Sequence, residues 1–175
     1  MDLSVFNFLH SWAGLSVTGD WFVVVMARYL PWGLVIAALV LIFKGNSRVK
    51  RIENLIFVAL ALLLSRGFLT EIIRYVVERV RPFVALGFEP LVEQSATFAL
   101  PSGHAAIFFA LATTLWFVDR KWGYWFGVLA LVNGVARVIA GVHWPLDIVA
   151  GAVVGIVSAL LVRVVLKSIP SRTAA

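Results

Sequence analysis

The stretch Pro101-Ser102-Gly103-His104-Ala105-Ala106-Ile107-Phe108-Phe109-Ala110-Leu111-Ala112 decides how the chain is read, because a polar, turn-forming tetrad runs straight into a continuous apolar segment. Serine is a preferred N-cap, and the free N–H groups of a helix start attract anions, so Ser102 and Gly103 open a helix at an anion-binding end. His104 falls in the first turn, beside whatever anion docks there. The apolar segment continues to Val118, where a charged Asp119-Arg120-Lys121 stops it. A simple helix cap with a satisfied histidine explains the tetrad equally well in isolation, so its weight depends on its surroundings.

Those surroundings are oily. Of 175 residues 62% are hydrophobic and 14% charged, against about 25% charged in a soluble domain. A spanning helix needs about 20 mainly apolar residues. Candidate spans run over residues 21–43, from Ile56 past Thr70 toward Arg79, Gly103–Val118, 124–140 and 146–166. Arg28 and Pro31 interrupt the first, which predicts a kink or a snorkelling arginine. Residues 56–79 as one helix would reach roughly 36 Å, longer than the hydrocarbon core, so its polar end emerges at the headgroups. Residues 3–15 read as an interfacial helix, with a short sixth span as the alternative. The expected fold is therefore an all-α membrane bundle of five transmembrane helices plus this N-terminal helix, in a single domain over residues 1–175, with a frayed tail at 170–175. The seven tryptophans, among them Trp12, Trp21, Trp32, Trp122 and Trp144, fit interfacial belts. The N-terminus has no basic region and does not resemble a cleaved signal peptide.

Formal charge is +6, but the basic residues flank apolar runs rather than forming a nucleic-acid-binding patch. Lys44, Arg48, Lys50 and Arg51, then Arg120 and Lys121, then Arg163, Lys167 and Arg172 fall on one side of a five-span topology, which should be cytoplasmic. The 80–102 loop and the Gly141–Pro145 turn then face outward. There is no cysteine, hence no disulfide and no thiolate metal site. Nothing in the sequence sets an oligomeric state.

Two further clusters fall on the same outer side as the tetrad. Arg74 and Arg81-Pro82 are seven residues apart; proline biases Arg81 out of helical geometry, so Arg74 projects from a helix end and Arg81 from a loop start. Headgroup anchoring, with Glu71 and Glu78 as partners, is the plain alternative for this pair. Arg137 ends a helix, and His143 and Asp147 stand i, i+4 around Pro145, which suits a helix start. Asp147 can hold one imidazole nitrogen of His143 and leave the other as nucleophile or base; an outer-face ion pair is the competing reading. Guanidinium forks suit phosphate oxygens, and ionisable groups near a bilayer are costly unless functional or paired. Arg66, in the middle of the second span, reads as a structural ion pair with Glu71 or a group facing a polar cavity, and His10 as surface chemistry.

Together these residues resemble the type 2 phosphatidic acid phosphatase superfamily, whose pattern is Lys-x6-Arg-Pro, Pro-Ser-Gly-His and Ser-Arg-x5-His-x3-Asp. Here the pattern is Arg74-x6-Arg81-Pro82, Pro101-Ser102-Gly103-His104 and Ala136-Arg137-x5-His143-x3-Asp147, over a core of residues 56–160. Arg74 replaces lysine, which changes reach and fork, and Ala136 replaces serine, which removes a possible phosphate hydrogen bond. The resemblance implies a metal-independent, cofactor-free lipid phosphatase in which His143 is the nucleophile, Asp147 orients it and His104 protonates the leaving oxygen. It implies that Arg74, Arg81, Ser102, Gly103 and Arg137 bind phosphate. Within the superfamily the chain is most similar to bacterial undecaprenyl-diphosphatases of the bacitracin-resistance type, which implies a multi-pass protein of the bacterial inner membrane with an outward-facing site. A phosphatase for phosphatidate, phosphatidylglycerophosphate or another lipid phosphate is the alternative. An intramembrane serine protease using Ser102 would not need the arginines, and a non-catalytic lipid-binding protein would not need His104, His143 and Asp147.

Overall fold

The computed structural model describes residues 1–44 and 47–168; the expected tail at 170–175 and the basic residue Arg172 lie outside the described residues. All regular structure among the described residues is helical. A short helix α1 (Asp2–His10) is followed by α2 (Val17–Val24), a π-helical segment Val25–Tyr29 and α3 (Leu30–Phe43), which run on as one rod. The second rod is α4 (Arg48–Leu62), a π-helical segment Leu63–Leu69 and α5 (Thr70–Val77). After the one-turn helix α6 (Pro82–Leu86) come α7 (Gly103–Val118), α8 (Arg120–Ile139) and α9 (Pro145–Ser168). Among the described residues four stretches are long and apolar enough to cross a membrane: Val17–Phe43, Arg48–Leu86, Arg120–Ile139 and Pro145–Ser168; Gly103–Val118 is a shorter apolar helix. These match the five expected spans, with the second starting eight residues before Ile56. Helix α1, at nine residues, extends only about 13 Å and cannot cross a core of about 30 Å.

The interruption expected at Arg28 and Pro31 is a π turn. Proline at position 31 has no N–H to give the carbonyl of Ala27, four residues back. That carbonyl accepts instead from Asn133 Nδ2 at 3.3 Å and from an Arg137 Nη at 3.4 Å, while Asn133 Nδ2 also reaches the Met26 carbonyl at 2.7 Å. A polar side chain on α8 thus satisfies the backbone groups that the irregular turn releases, as the apolar interior of a membrane requires. Arg28 itself is half-exposed and approaches Glu93 at 3.8 Å.

Helix α7 is the centre of the bundle, packed along both α8 and α9. Close approach to α9 rests on Gly151 and Gly155: a Cβ on Gly155 would sit 2.4 Å from the Ala106 carbonyl oxygen, and one on Gly151 would sit 2.5 Å from that of Ser102. Small residues at this four-residue spacing let helix backbones touch where no hydrophobic force separates protein from lipid. This contact sets the start of α9 beside the start of α7. The ends of α5 and α8 lie at that same end of the bundle, so the three sequence clusters meet.

Two expectations change. Trp144 is buried, not in an interfacial belt: its ring meets Phe6 at 4.9 Å and its Nε1–H donates to the Val80 carbonyl at 2.9 Å. His10 is packed rather than a surface group, because α1 folds back over the α8–α9 turn. Its Nδ1–H donates to the Ile139 carbonyl at 2.8 Å, and its ring stacks on Phe6 and lies tilted against Phe88.

Replacing Gly155 with leucine is expected to force α7 and α9 apart and to cost at least about 2 kcal/mol, the usual scale of overpacking. A lower melting temperature in detergent and loss of the monodisperse peak in size-exclusion chromatography would register it; unchanged values would show that the helices do not depend on this contact.

Candidate active site

At the shared end of the bundle lies a cavity of about 520 Å³. Its wall includes Arg66, Arg74, Arg81, Gln94, Gly103, His104, Arg137 and His143. The start of α9 supplies its rear support. Trp144 is the residue before the helix, and Asp147 in its first turn reaches back to accept the Trp144 N–H through Oδ2 at 2.8 Å, half of a capping box. The same Oδ2 lies 3.3 Å from His143 Nδ1. The other ring nitrogen, Nε2, is 3.2 Å from an Arg81 Nη. Guanidinium nitrogens only donate, so Nε2 must accept and Nδ1 carries the proton toward Asp147. This arrangement places the Nε2 lone pair on the Arg81 guanidinium, in a residue that lines the cavity.

Burial, with the Arg137 and Arg81 charges next, pushes the His143 imidazole well below its ordinary range. His143 is therefore neutral at physiological pH, the state a nucleophile or base requires.

Arg81 is almost wholly buried and held rigidly. Its Nε donates to the Thr97 carbonyl at 2.8 Å, its Nη groups to the Val142 carbonyl at 2.9 Å, Thr97 Oγ1 at 3.2 Å and the Phe98 carbonyl at 3.3 Å. Its extended backbone before Pro82 is what the Arg-Pro pair predicts. Arg74 projects from the end of α5, as expected, and its fork spans the Pro101 carbonyl, with Nε and one Nη each at 3.3 Å. A lysine could not make that two-pronged contact. Glu71 pairs with Arg74, but Glu78 does not pair with Arg81: it closes α5 in the left-handed conformation, φ 48°. Arg137 donates to Gln94 Oε1 at 2.7 Å, and its Nε is buried with no partner. A buried, unsatisfied guanidinium N–H on a cavity wall calls for an anion.

Ser102 and Ala136 sit differently from expectation. The Ser102 hydroxyl is fully buried, accepts from the Ala105 N–H at 3.5 Å and does not line the cavity; Ser102 N–H donates to the Asp147 carbonyl at 2.9 Å. It joins the two helix starts. Ala136 packs in an apolar cluster with Val23 and Val92 and does not line the cavity, so the Ser-to-Ala departure does not remove a group from the cavity wall.

Sequence reasoning missed the groups behind Asp147. Arg79 donates to Asp147 Oδ1 at 2.9 Å, forms a second ion pair with Asp2, and lies over the Trp144 ring at 5.4 Å. Asp2 Oδ1 accepts the Leu146 N–H at 3.0 Å. Every oxygen of the buried carboxylate is thereby bonded. No spacing rule links residues 2, 79 and 147. The only hint was a basic residue inside the Arg-x-Arg-Pro run. Among the described residues no three His, Cys, Asp or Glu side chains group closely enough to hold a metal ion.

Arg79→Met leaves Asp147 Oδ1 buried without its counter-charge and is expected to destabilise the protein by about 3 kcal/mol, the scale for breaking one side of a buried pair. Thermal unfolding in detergent measures this, and a loss under about 1 kcal/mol would show the pair to be dispensable. His143 also makes stability pH-dependent. Unfolded, its imidazole takes up a proton near pH 6.5 that the folded site refuses, so acidification favours the unfolded chain. The contribution is complete at neutral pH and is lost as pH falls below about 6.5. His143→Gln should flatten the fall in melting temperature between pH 7.5 and 5; identical slopes would contradict the assignment.

An undecaprenyl-diphosphatase of Sulfolobus acidocaldarius is 35% identical over 122 residues, 69% of this chain and 56% of that protein. The bacitracin transport permease protein BcrC of Bacillus licheniformis is 30% identical over 138 residues, 78% of this chain and 66% of that one. The chain thus spans between about half and two thirds of the length of these relatives. The crystal structure of Aquifex aeolicus LpxE shares the fold, with a TM-score of 0.74 at 24% identity over 92% of this chain and 93% of that one. The profile of the PAP2 superfamily matches residues 54–169, which take in every one of the three motif clusters and four of the five spans: this multi-pass membrane chain belongs to the PAP2 superfamily.

Proposed function

We propose that the protein is a lipid phosphatase that hydrolyses a lipid diphosphate, with undecaprenyl diphosphate the best-supported substrate, through a phosphohistidine intermediate and without metal. One observation carries the reading: His143, its Nε2 unprotonated in the contact with Arg81, lines a cavity also walled by Arg74, Arg81 and Arg137, one of them with a buried, unpartnered N–H. Phosphoryl transfer needs mainly positioning and charge stabilisation, and three guanidinium groups with the Gly103 N–H at a helix start supply both. The sequence resemblance and the diphosphatase name of the Sulfolobus relative support the substrate.

In this reading the terminal phosphoryl group displaces the Arg81–His143 contact. His143 Nε2 attacks phosphorus in line, and the bond to the bridging oxygen breaks with its electron pair leaving on the lipid phosphate. His104 gives that oxygen its proton. Asp147, held by Arg79, stabilises the imidazolium-like ring. Water then attacks the phosphohistidine, His104 takes its proton, the P–N bond breaks and inorganic phosphate leaves. Ser102 acts by fixing the two helix starts.

The site faces outward from the bacterial inner membrane in this reading. Lys44, Arg48, Lys50, Arg51, Arg120, Lys121 and Lys167 gather at the opposite end of the bundle, consistent with positive residues staying inside.

His143→Ala is expected to abolish phosphate release from undecaprenyl diphosphate, a loss of at least about 10³-fold by analogy with other removed nucleophiles, whereas Ser102→Ala should retain measurable turnover. Phosphate release across a lipid panel checks the substrate: strong activity on a glycerolipid phosphate with none on the diphosphate would sink it. Absence of an acid-labile phosphohistidine in quenched wild-type turnover would overturn the mechanism, and loss of activity in EDTA restored by Mg²⁺ would overturn metal independence.

A further inference from the structure

Arg66 is a cationic cavity-wall group that the mechanism above leaves unused. It stands inside the second span, eight residues before Arg74. In an ideal α-helix residues eight apart point roughly 80° away from each other. The segment Leu63–Leu69 between α4 and α5 is π-helical, and one inserted residue makes the pair behave as i, i+7, roughly 20° apart. Arg66 and Glu71, five apart, likewise behave as an i, i+4 pair. The result is that Arg66 and Arg74 both bond the same oxygen, Glu71 Oε1. Gly103 permits the approach: a Cβ there would lie 2.7 Å from Arg66 Nε.

The cavity therefore already holds one anionic oxygen between two guanidinium groups. It belongs to a half-exposed carboxylate on a flexible side chain, which substrate can displace. Arg66 also lies nearer the middle of its span than Arg74, and Ile107, a turn inside α7, lines the cavity on the same inner side. A lipid phosphate enters with its tail toward the middle of the bilayer, so the phosphate next to the tail lies on that side and the terminal one toward His143.

We propose that Arg66, with Arg74 shared between it and the terminal-phosphate cradle, forms a second phosphate subsite, which holds the inner phosphate of a lipid diphosphate, with Glu71 as the placeholder that substrate displaces. The proposal rests on the phosphatase reading and deepens it. Attack at the terminal phosphorus leaves charge on the bridging oxygen and the inner phosphate, where Arg66 would stabilise it. A monophosphate ester has no inner phosphate and gains nothing there.

The test uses the full chain in detergent micelles with farnesyl diphosphate and farnesyl monophosphate. Arg66→Gln should lower kcat/KM for the diphosphate about 10- to 100-fold, the effect of one charge-assisted contact, while the monophosphate value changes less than about threefold. Arg66→Lys should recover part of the loss. Glu71→Gln, which removes the competing charge, should lower KM for the diphosphate more than for the monophosphate. If Arg66→Gln does not yield folded protein, inhibition of the wild type by pyrophosphate and orthophosphate decides together with Glu71→Gln. Pyrophosphate should be the stronger inhibitor by about tenfold; equal inhibition with an unchanged Glu71→Gln KM overturns the proposal. Equal losses on both lipids in Arg66→Gln, or no loss on either, also overturn it and leave the phosphatase reading standing. A wild type that hydrolyses neither lipid, nor phosphatidate, overturns the phosphatase reading itself.

Discussion

The fully buried carboxylate of Asp147 is the constraint around which this end of the molecule is arranged. An ionised group out of water must have its lone pairs bonded and its charge offset. Asp147 meets both demands with groups from three places: His143 and the Trp144 N–H from the preceding turn, Arg79 from the segment after α5, and, through Arg79, Asp2 from α1. Its backbone carbonyl takes the Ser102 N–H at the start of α7. One residue thus ties together three helix ends and sets the tautomer of the histidine beside it. The Gly151–Gly155 contact brings the backbones close enough for this to happen.

Around that anchor the protein concentrates positive charge. Arg66, Arg74, Arg81 and Arg137 wall a single cavity, an arrangement whose mutual repulsion and desolvation are unfavourable in the empty site. The carbonyls of Thr97, Phe98, Pro101 and Val142, with Gln94 and Glu71, satisfy most of the donors. The remaining deficit is an anion. A site pre-organised in this way meets a transferring phosphoryl group with little rearrangement, which is the physical basis for reading the cavity as a phosphate site.

Irregular helix is used where it solves a problem. The π turn at Val25–Tyr29 absorbs Pro31, and its freed carbonyls are repaid by Asn133 and Arg137; the π turn at Leu63–Leu69 swings Arg66 onto the face of Arg74. Both lie within stretches that are apolar enough to span a membrane, where an unbonded backbone group could not be tolerated.

The sequence by itself determined the class of structure and most of the site. Apolar runs of spanning length can only be helices in lipid, and the spacing of Arg74, Arg81, His104, Arg137, His143 and Asp147 relative to those runs placed them at one end. Local rules also predicted the Ser102 cap, the extended Arg81 and Pro145 at a helix start, because each depends on neighbours in the chain. Only the tertiary structure decided that Trp144 and His10 are interior, that Ser102 and Ala136 do not face the cavity, that Arg79 and Asp2 hold the carboxylate, and that Arg66 joins Arg74. These depend on contacts between residues far apart in sequence, or on a single inserted residue in a helical turn. Hydrophobic periodicity records which segments are buried, whereas partner choice among buried charges is settled only when the helices pack.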